Sequence, residues 1–244
     1  MSAVILIPAR YGSSRFPGKP LAKIAGKTMV ERVYSNCAVS GFDTAVVTDN
    51  DEIEKAVLAF GGKVLRVDDD VPSGSERIAL AYERFLASSN SDLVLNVQGD
   101  EPLLKGDVLK ELVNFHLSTK FEVATLLRQR SSREDDFKNP NVVKAVWSET
   151  SKQCLYFSRQ SLPFDRDGGK DFFWFQHIGV YSYRPQALAR FVKLPLAKLE
   201  DLEKLEQLRA LENGMTIGGI LTTQKLIGVD VPEDIKKVEG ALNG

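Results

Sequence analysis

The sequence predicts an α/β protein built on a doubly wound, mostly parallel sheet. Short, non-alternating apolar runs recur through the first half, and each is followed by a segment of helical period. The loops richest in glycine, proline and charge fall just after the apolar runs, where such sheets bind their ligands.

In order, Ala3 to Ile7 is the first strand, and Thr28 to Val39 a helix with Met29, Val33 and Cys37 on one face and Gly41 as its stop. Thr44 to Thr48 is the second strand. Asp51 with Glu54 gives a capping-box-like start to a helix through Ile53, Val57 and Phe60, ended by Gly61-Gly62. Lys63 to Val67 is a third strand, and the loop Pro72 to Arg77 leads into a helix over Ile78 to Leu86. Leu93 to Val97 is a fourth strand, followed by Gln98-Gly99-Asp100-Glu101-Pro102 and a helix through Leu109 and Val113. Right-handed crossovers between such units give the doubly wound sheet.

The alternation stops near Phe121. Val123 to Leu127, Val142 to Trp147, Cys154 to Ser158 and Phe175 to Tyr183 read as strands with polar turns between them, a β-rich subdomain over 121–195 inserted in a single domain of residues 1–244. Leu199 to Glu212 reads as one helix, with Leu199, Leu202, Leu205 and Leu208 buried and Glu200, Glu203, Lys204 and Glu206 on a solvated face. Ile227 to Asp230 is a short strand, and Pro232 opens the last helix.

Composition excludes several classes. The chain has 244 residues, 32 basic against 33 acidic, for a net charge of -1, so nothing draws it as a whole to nucleic acid or to an anionic membrane. No run approaches the length of a membrane span, and the N-terminal apolar run lacks the basic flank and cleavage site of a signal peptide. A cytoplasmic location is expected. Cys37 and Cys154 are expected as buried free thiols.

The stretch Ile5 to Leu21 organises the chemistry. An apolar run ends at Pro8, and the next dozen residues mix glycine, serine and proline with Arg10, Arg15 and Lys19. Such a loop suits a phosphate chain, since glycines allow close backbone approach while amides and cations supply donors; it also reads as an ordinary exposed basic loop. It is not a Walker A motif, because Lys19 precedes Pro20 and the glycine spacing is wrong by one. Ser73 to Arg77 reads either as a capped helix start or as an anion site. Asp100, in a turn after an apolar strand, binds nearby amides or a cation. A bare carboxylate about 4 Å from a phosphate is repelled by roughly 4 kcal/mol at an effective dielectric near 20, and a magnesium ion between them removes the conflict. Asp230, just before Pro232, reads as a helix N-cap.

The loop from Ile5 to Leu21 closely resembles the signature of the bacterial synthetases that make CMP-3-deoxy-manno-octulosonate (CMP-Kdo), and the resemblance extends to residues 94–102, 176–181 and 205–234. It implies the nucleotide-diphospho-sugar transferase type of fold, CTP and a sugar acid as substrates, Mg2+ as cofactor, a homodimer, and a place in lipopolysaccharide biosynthesis. Carried over residue by residue, it puts Pro8, Ala9, Arg10, Arg15, Lys19, Ser73, Gly74, Arg77, Gln98 and Asp100 at the nucleotide. Lys19, Arg10 and Asp100 are the catalytic positions, and Asp100 and Asp230 hold the metal. The sugar falls to Gln98, Arg159, Gln176, His177, Tyr181, Glu206 and Gln207. An octulosonate carries a carboxylate and many hydroxyls, so a guanidinium or imidazolium is needed beside neutral donors. His116 is read as structural, on a surface helix. The cluster Phe172, Phe173, Trp174 and Phe175 is read as local core or dimer contact.

One departure bears on the substrate. Many Kdo synthetases have Arg immediately before the histidine of the sugar-binding strand, where this chain has Gln176. Loss of that cation suits an amine-bearing sugar such as the 8-amino-8-deoxy analogue. CMP-sialate synthetases share the chemistry but lack this loop arrangement. A non-catalytic nucleotide-binding regulator would be expected to lose Lys19 or a metal carboxylate, and a sugar-nucleotide-dependent transferase would carry Asp-x-Asp after the fourth strand.

Overall fold

The computed structural model describes residues 2–12 and 16–243, so Arg15 lies outside the described residues. They form two compact units, residues 1–113 with 224–244, and residues 114–223. The chain runs β1 (Ala3–Pro8), β2 (Lys23–Ile24), β3 (Lys27–Thr28), α1 (Met29–Ala38), β4 (Asp43–Thr48), α2 (Asp51–Ala59), β5 (Val64–Arg66), α3 (Gly74–Ala81), β6 (Leu93–Val97) and α4 (Gly106–Leu117). The second unit continues with β7 (Val123–Ser131), β8 (Lys144–Trp147), β9 (Cys154–Ser158), β10 (Phe173–Tyr183), α5 (Pro185–Phe191), α6 (Lys198–Glu203), α7 (Gln207–Glu212) and β11 (Ile217–Leu221). The chain then returns to the first unit for α8 (Asp234–Asn243).

In the first unit four strands lie parallel in the order β6–β1–β4–β5. Ile5, Leu6 and Ile7 of β1 are fully buried, which explains an apolar run without alternation: both faces of the central strand are covered. Helix α1 starts where Thr28 accepts from the Glu31 amide. Helix α2 is capped by Asn50, one residue before the expected Asp51. The Asn50 Oδ1 accepts from the amides of Glu52 and Ile53, both at 3.0 Å, while Asp51 pairs with Arg66. Ser73 and Glu76 form a reciprocal capping box at α3, which after Ala81 widens into a π-helical turn over Tyr82–Leu86, so the helical run reaches Leu86 as expected. No strand forms over 227–230. There the Asp234 carboxylate accepts from the amides of Asp230 and Val231 and starts α8 itself, so Asp230 is not the N-cap.

In the second unit β7 pairs antiparallel with β10 and parallel with β11, and β8 joins β10 to β9. The unit exceeds the 121–195 segment because residues 114–120 and, beyond 195, α6, α7 and β11 belong with it. The single helix expected over Leu199 to Glu212 is broken. Lys204 is left-handed (φ 51), and the carbonyls of Glu203 and Lys204 turn outward to the Arg159 guanidinium instead of closing helical bonds. The break also overturns the expected faces. Leu202 is 79% exposed, whereas Glu200 is buried and bonded to Arg209 through both carboxylate oxygens, at 2.7 and 2.8 Å. In the aromatic cluster Trp174 is fully buried and Phe173 is exposed, the alternation expected of a strand.

His116 is fully buried rather than on a surface. Its Nε2 lies 3.0 Å from the Phe121 carbonyl, which only accepts, so Nε2 carries the proton and Nδ1 accepts from the Ser182 hydroxyl at 2.8 Å. Burial pushes its pKa down to about 4. The unfolded chain takes up a proton near pH 6.5 that the folded chain refuses until about pH 4, so stability falls as pH drops through that window. The expected loss is about 3 kcal/mol from this group. His116→Gln is expected to flatten that part of the profile, measured by urea unfolding at pH 7 and 4.5; an unchanged slope would contradict it.

Candidate active site

In the first unit Pro8, Ala9, Arg10, Val71, Ser73, Gly74, Arg77 and Gln98 line one cleft beyond the ends of the parallel strands. All but Val71 are positions singled out in the sequence. The walls meet at Pro8: a Cβ on Gly74 would lie 3.1 Å from its ring and one on Gly99 3.2 Å from its carbonyl, so glycine is what lets the three loops converge. Arg77 is buried and fixed, donating to the Val67 carbonyl and pairing with Asp49 at 2.8 Å. Gln98 donates to Asn96, which in turn donates to Ser75 at the start of α3. Neither Asp49 nor Asn96 was anticipated. A polar residue inside the run Leu93–Val97 was the available signal for Asn96; Asp49 gave none.

Beside the cleft, the ammonium of Lys19 lies 2.7 Å from Asp100 Oδ2 and 3.0 Å from the Val229 carbonyl. The Val229 amide donates to the Asp100 carbonyl at 3.0 Å, which brings the segment carrying Asp230 alongside. Glu101, a residue the sequence gave no reason to single out, is half-buried here, with its Oε2 buried and unpartnered. Burial, then the charges of Asp100 and Asp230, push its pKa up to about 8. Among the described residues no three His, Cys, Asp or Glu converge on a metal unaided. Two carboxylates completed by phosphate oxygens are, however, the donor set that magnesium accepts, and an ammonium already balances one of them. The residues fit a divalent cation that arrives with a nucleotide.

In the second unit the expected sugar residues divide between the faces of β10. His177 and Tyr181, four apart, share a face by strand alternation, and the bulge between Ile178 and Tyr181 shortens the path between them, leaving the ring centroids 5.4 Å apart. Thr125, unforeseen in the sequence, holds the imidazole. Its hydroxyl donates to the Val180 carbonyl at 2.8 Å and accepts from His177 Nε2 at 3.1 Å, leaving Nδ1 as an acceptor. Burial pushes the His177 pKa down to about 3, so this is a neutral imidazole and not the imidazolium considered for a carboxylate. Burial, then Tyr183 and Glu206, raise the Tyr181 hydroxyl well above its usual range. The Nε2 of buried Gln207 has no hydrogen-bond partner. Gln176 points the other way. It sits opposite Arg128, and its Oε1 accepts from Arg130 at 2.7 Å, whose charge is met by Glu134 and Asp136. The guanidinium of Arg159 is occupied by the carbonyls of Pro140, Glu203 and Lys204.

Comparison with known proteins identifies the family. The Cytidylyltransferase family model matches residues 4–217. The 3-deoxy-manno-octulosonate cytidylyltransferase of Thermodesulfovibrio yellowstonii is 42% identical, covering 100% of this chain and 99% of the relative. The 8-amino-3,8-dideoxy-manno-octulosonate cytidylyltransferase of Shewanella frigidimarina is 45% identical over 98% of both chains. A solved CMP:2-keto-3-deoxy-manno-octonic acid synthetase in complex with CTP superposes with a TM-score of 0.91 at 35% identity, over 100% of this chain and 99% of that one. A cytidylyltransferase from Leptospira borgpetersenii, 16% identical with a TM-score of 0.65 over 100% of this chain and 87% of that one, shares the fold. From strand order to phosphate loop, the chain belongs to the 3-deoxy-manno-octulosonate cytidylyltransferase family, with the α/β fold of the nucleotide-diphospho-sugar transferases.

Proposed function

We propose that this protein is a CTP-dependent nucleotidyltransferase that activates an octulosonate sugar acid, Kdo in the first instance, giving the CMP-sugar and pyrophosphate for lipopolysaccharide biosynthesis. The observation that carries the reading is the meeting, in one unit, of the cleft lined by Pro8, Arg10, Ser73, Arg77 and Gln98 with the Lys19–Asp100 pair. Its support is end-to-end similarity to proteins named for this reaction.

The anomeric hydroxyl at C2 of the sugar attacks the α-phosphorus of CTP in line, and the bond to the bridging oxygen of pyrophosphate breaks. Phosphoryl transfer of this kind leaves the protein mainly positioning and charge stabilisation to perform. Arg10 and Lys19 steady the charge on the phosphates, with Arg15 on the departing pyrophosphate. Ser73, Gly74, Arg77 and Gln98, with Pro8 and Ala9, hold the nucleotide. Asp100 and Asp230 hold a divalent cation, which we take to be Mg2+; when bound, it neutralises phosphate charge and acidifies the attacking hydroxyl. On the sugar, His177 Nδ1, Tyr181, Glu206 and Gln207 of the second unit meet hydroxyls; Gln98 is assigned to the sugar as well as to the nucleotide. Arg159 is the cation assigned to the carboxylate. A homodimer is proposed through the exposed aromatic Phe173, and a cytoplasmic location; no described helix is long and apolar enough to cross a membrane.

The test is magnesium-dependent pyrophosphate release from each of the four nucleoside triphosphates with Kdo, 8-amino-Kdo, sialate or no sugar. Release with CTP and an octulosonate alone is expected, whereas no release from a folded protein that binds CTP would favour a regulatory role. The 8-amino sugar is a second reading, favoured by Gln176 standing where the family often has Arg. If the Gln176 amide reads the substituent at C8, Gln176→Arg shifts the ratio of kcat/KM for the two sugars by about tenfold or more, equivalent to about 1.4 kcal/mol. An unchanged ratio would remove Gln176, which faces away from His177, from the sugar site.

A further inference from the structure

Lys19 sits where a cation is wanted before any has arrived. Its backbone is fixed by a short turn, in which its amide donates to the Phe16 carbonyl and its carbonyl accepts from Ala22, with buried Pro20 next in the chain. The side chain therefore has few ways to reach, and the one it takes puts Nζ 2.7 Å from Asp100 Oδ2 and 3.0 Å from the Val229 carbonyl, at 17% exposure. Two of the three ammonium donors are spent, and the third remains for an incoming oxygen. The carboxylate it occupies is the one to which the divalent cation is assigned.

We propose that Lys19 is a tethered counter-ion that keeps the carboxylate site closed to a free divalent cation and yields it when the nucleotide phosphates arrive. The inference rests on the proposed nucleotidyltransferase reading, which assigns the metal to Asp100 and Asp230. A bare divalent cation entering this site must displace the ammonium from its carboxylate and then face it as a like charge across a short gap. A triphosphate changes both sides of that exchange. Its oxygens accept the ammonium and complete the metal's coordination, so each ligand improves the site for the other. Lys19 then has two posts in one cycle, on Asp100 at rest and on phosphate in the loaded enzyme.

The prediction concerns binding rather than turnover. Mn2+ titration followed by electron paramagnetic resonance, without sugar, should show weak binding to the wild-type protein and at least tenfold tighter binding once a non-hydrolysable CTP analogue is present. Lys19→Met should bind Mn2+ alone at least tenfold more tightly than wild type, with a correspondingly smaller gain from the analogue. Lys19→Gln, which keeps a polar neighbour for Asp100 should Met perturb the fold, should behave likewise, and Lys19→Arg should stay near wild type. Unchanged or weaker Mn2+ binding in both neutral variants, with thermal melts like wild type, overturns the proposal. Asp230→Asn should lose Mn2+ binding in the wild-type and the Lys19→Met backgrounds; retention in both would show that the cation binds elsewhere and overturn it too. Failure of the nucleotidyltransferase reading would show separately, as absence of pyrophosphate release from the wild-type protein with any octulosonate.

Discussion

Asp230→Asn is expected to lower kcat by about a thousandfold while leaving the melting temperature, and CTP-analogue binding measured without a divalent cation, close to those of the wild type. The effect is large because the substitution keeps shape and removes charge. Loss of one oriented charged partner at a transferring phosphoryl group typically costs 10²–10³ in rate, about 3–4 kcal/mol. The fold should survive because the turn that carries Asp230 is held by its backbone: its amide, and that of Val231, donate to Asp234. The Val229 amide is anchored on the Asp100 carbonyl. Pyrophosphate release and a thermal melt on one preparation decide the matter. Turnover within tenfold of wild type would remove Asp230 from the metal site.

Glu200→Ala is expected to destabilise the second unit by about 3–5 kcal/mol, the cost of stranding one partner of a buried ion pair. Glu200 and Arg209 are each about nine-tenths buried and meet through two parallel hydrogen bonds, and the Glu200 carboxylate also accepts from the Ala197 amide at 3.2 Å. Arg209 stacks over Phe191 as well, so its guanidinium is packed in place. Removing the carboxylate leaves that cation desolvated without its bidentate partner. Urea unfolding followed by tryptophan fluorescence should show the loss. A change below about 1 kcal/mol would mean that the pair is solvent-screened like a surface bridge.

The first unit was largely legible because its signals are local. A central parallel strand is an uninterrupted apolar run, and Ile5 to Ile7 is one; a capping box is four consecutive residues, and Ser73 to Glu76 is one. The phosphate loop lies in a single stretch of chain, so Pro8, Arg10 and Lys19 could be read together. What escaped depended on distant partners. Nothing near Lys204 announces a left-handed residue, since the helix breaks there to feed its carbonyls to Arg159, 45 residues earlier. Glu200 reads as solvated until Arg209 is found across the break. Gln176 and His177 are neighbours in sequence and were assigned to one ligand, yet a strand turns consecutive side chains to opposite faces. Asn50 displaced Asp51 as the cap because either residue type can serve, and only backbone geometry decides between them.

The three bonds from the Arg159 guanidinium to the carbonyls of Pro140, Glu203 and Lys204 give it a mechanical office as well as a chemical one. It works as a strut, tying the end of β9 to the 140 turn and to the hinge between α6 and α7, just ahead of Glu206 and Gln207. Cutting the strut would slacken every part at once. The kinetic phenotype of Arg159→Ala would then record a loosened frame as much as a missing contact to the sugar carboxylate. Arg159→Lys, which keeps the charge but spans fewer of the carbonyls, separates the two.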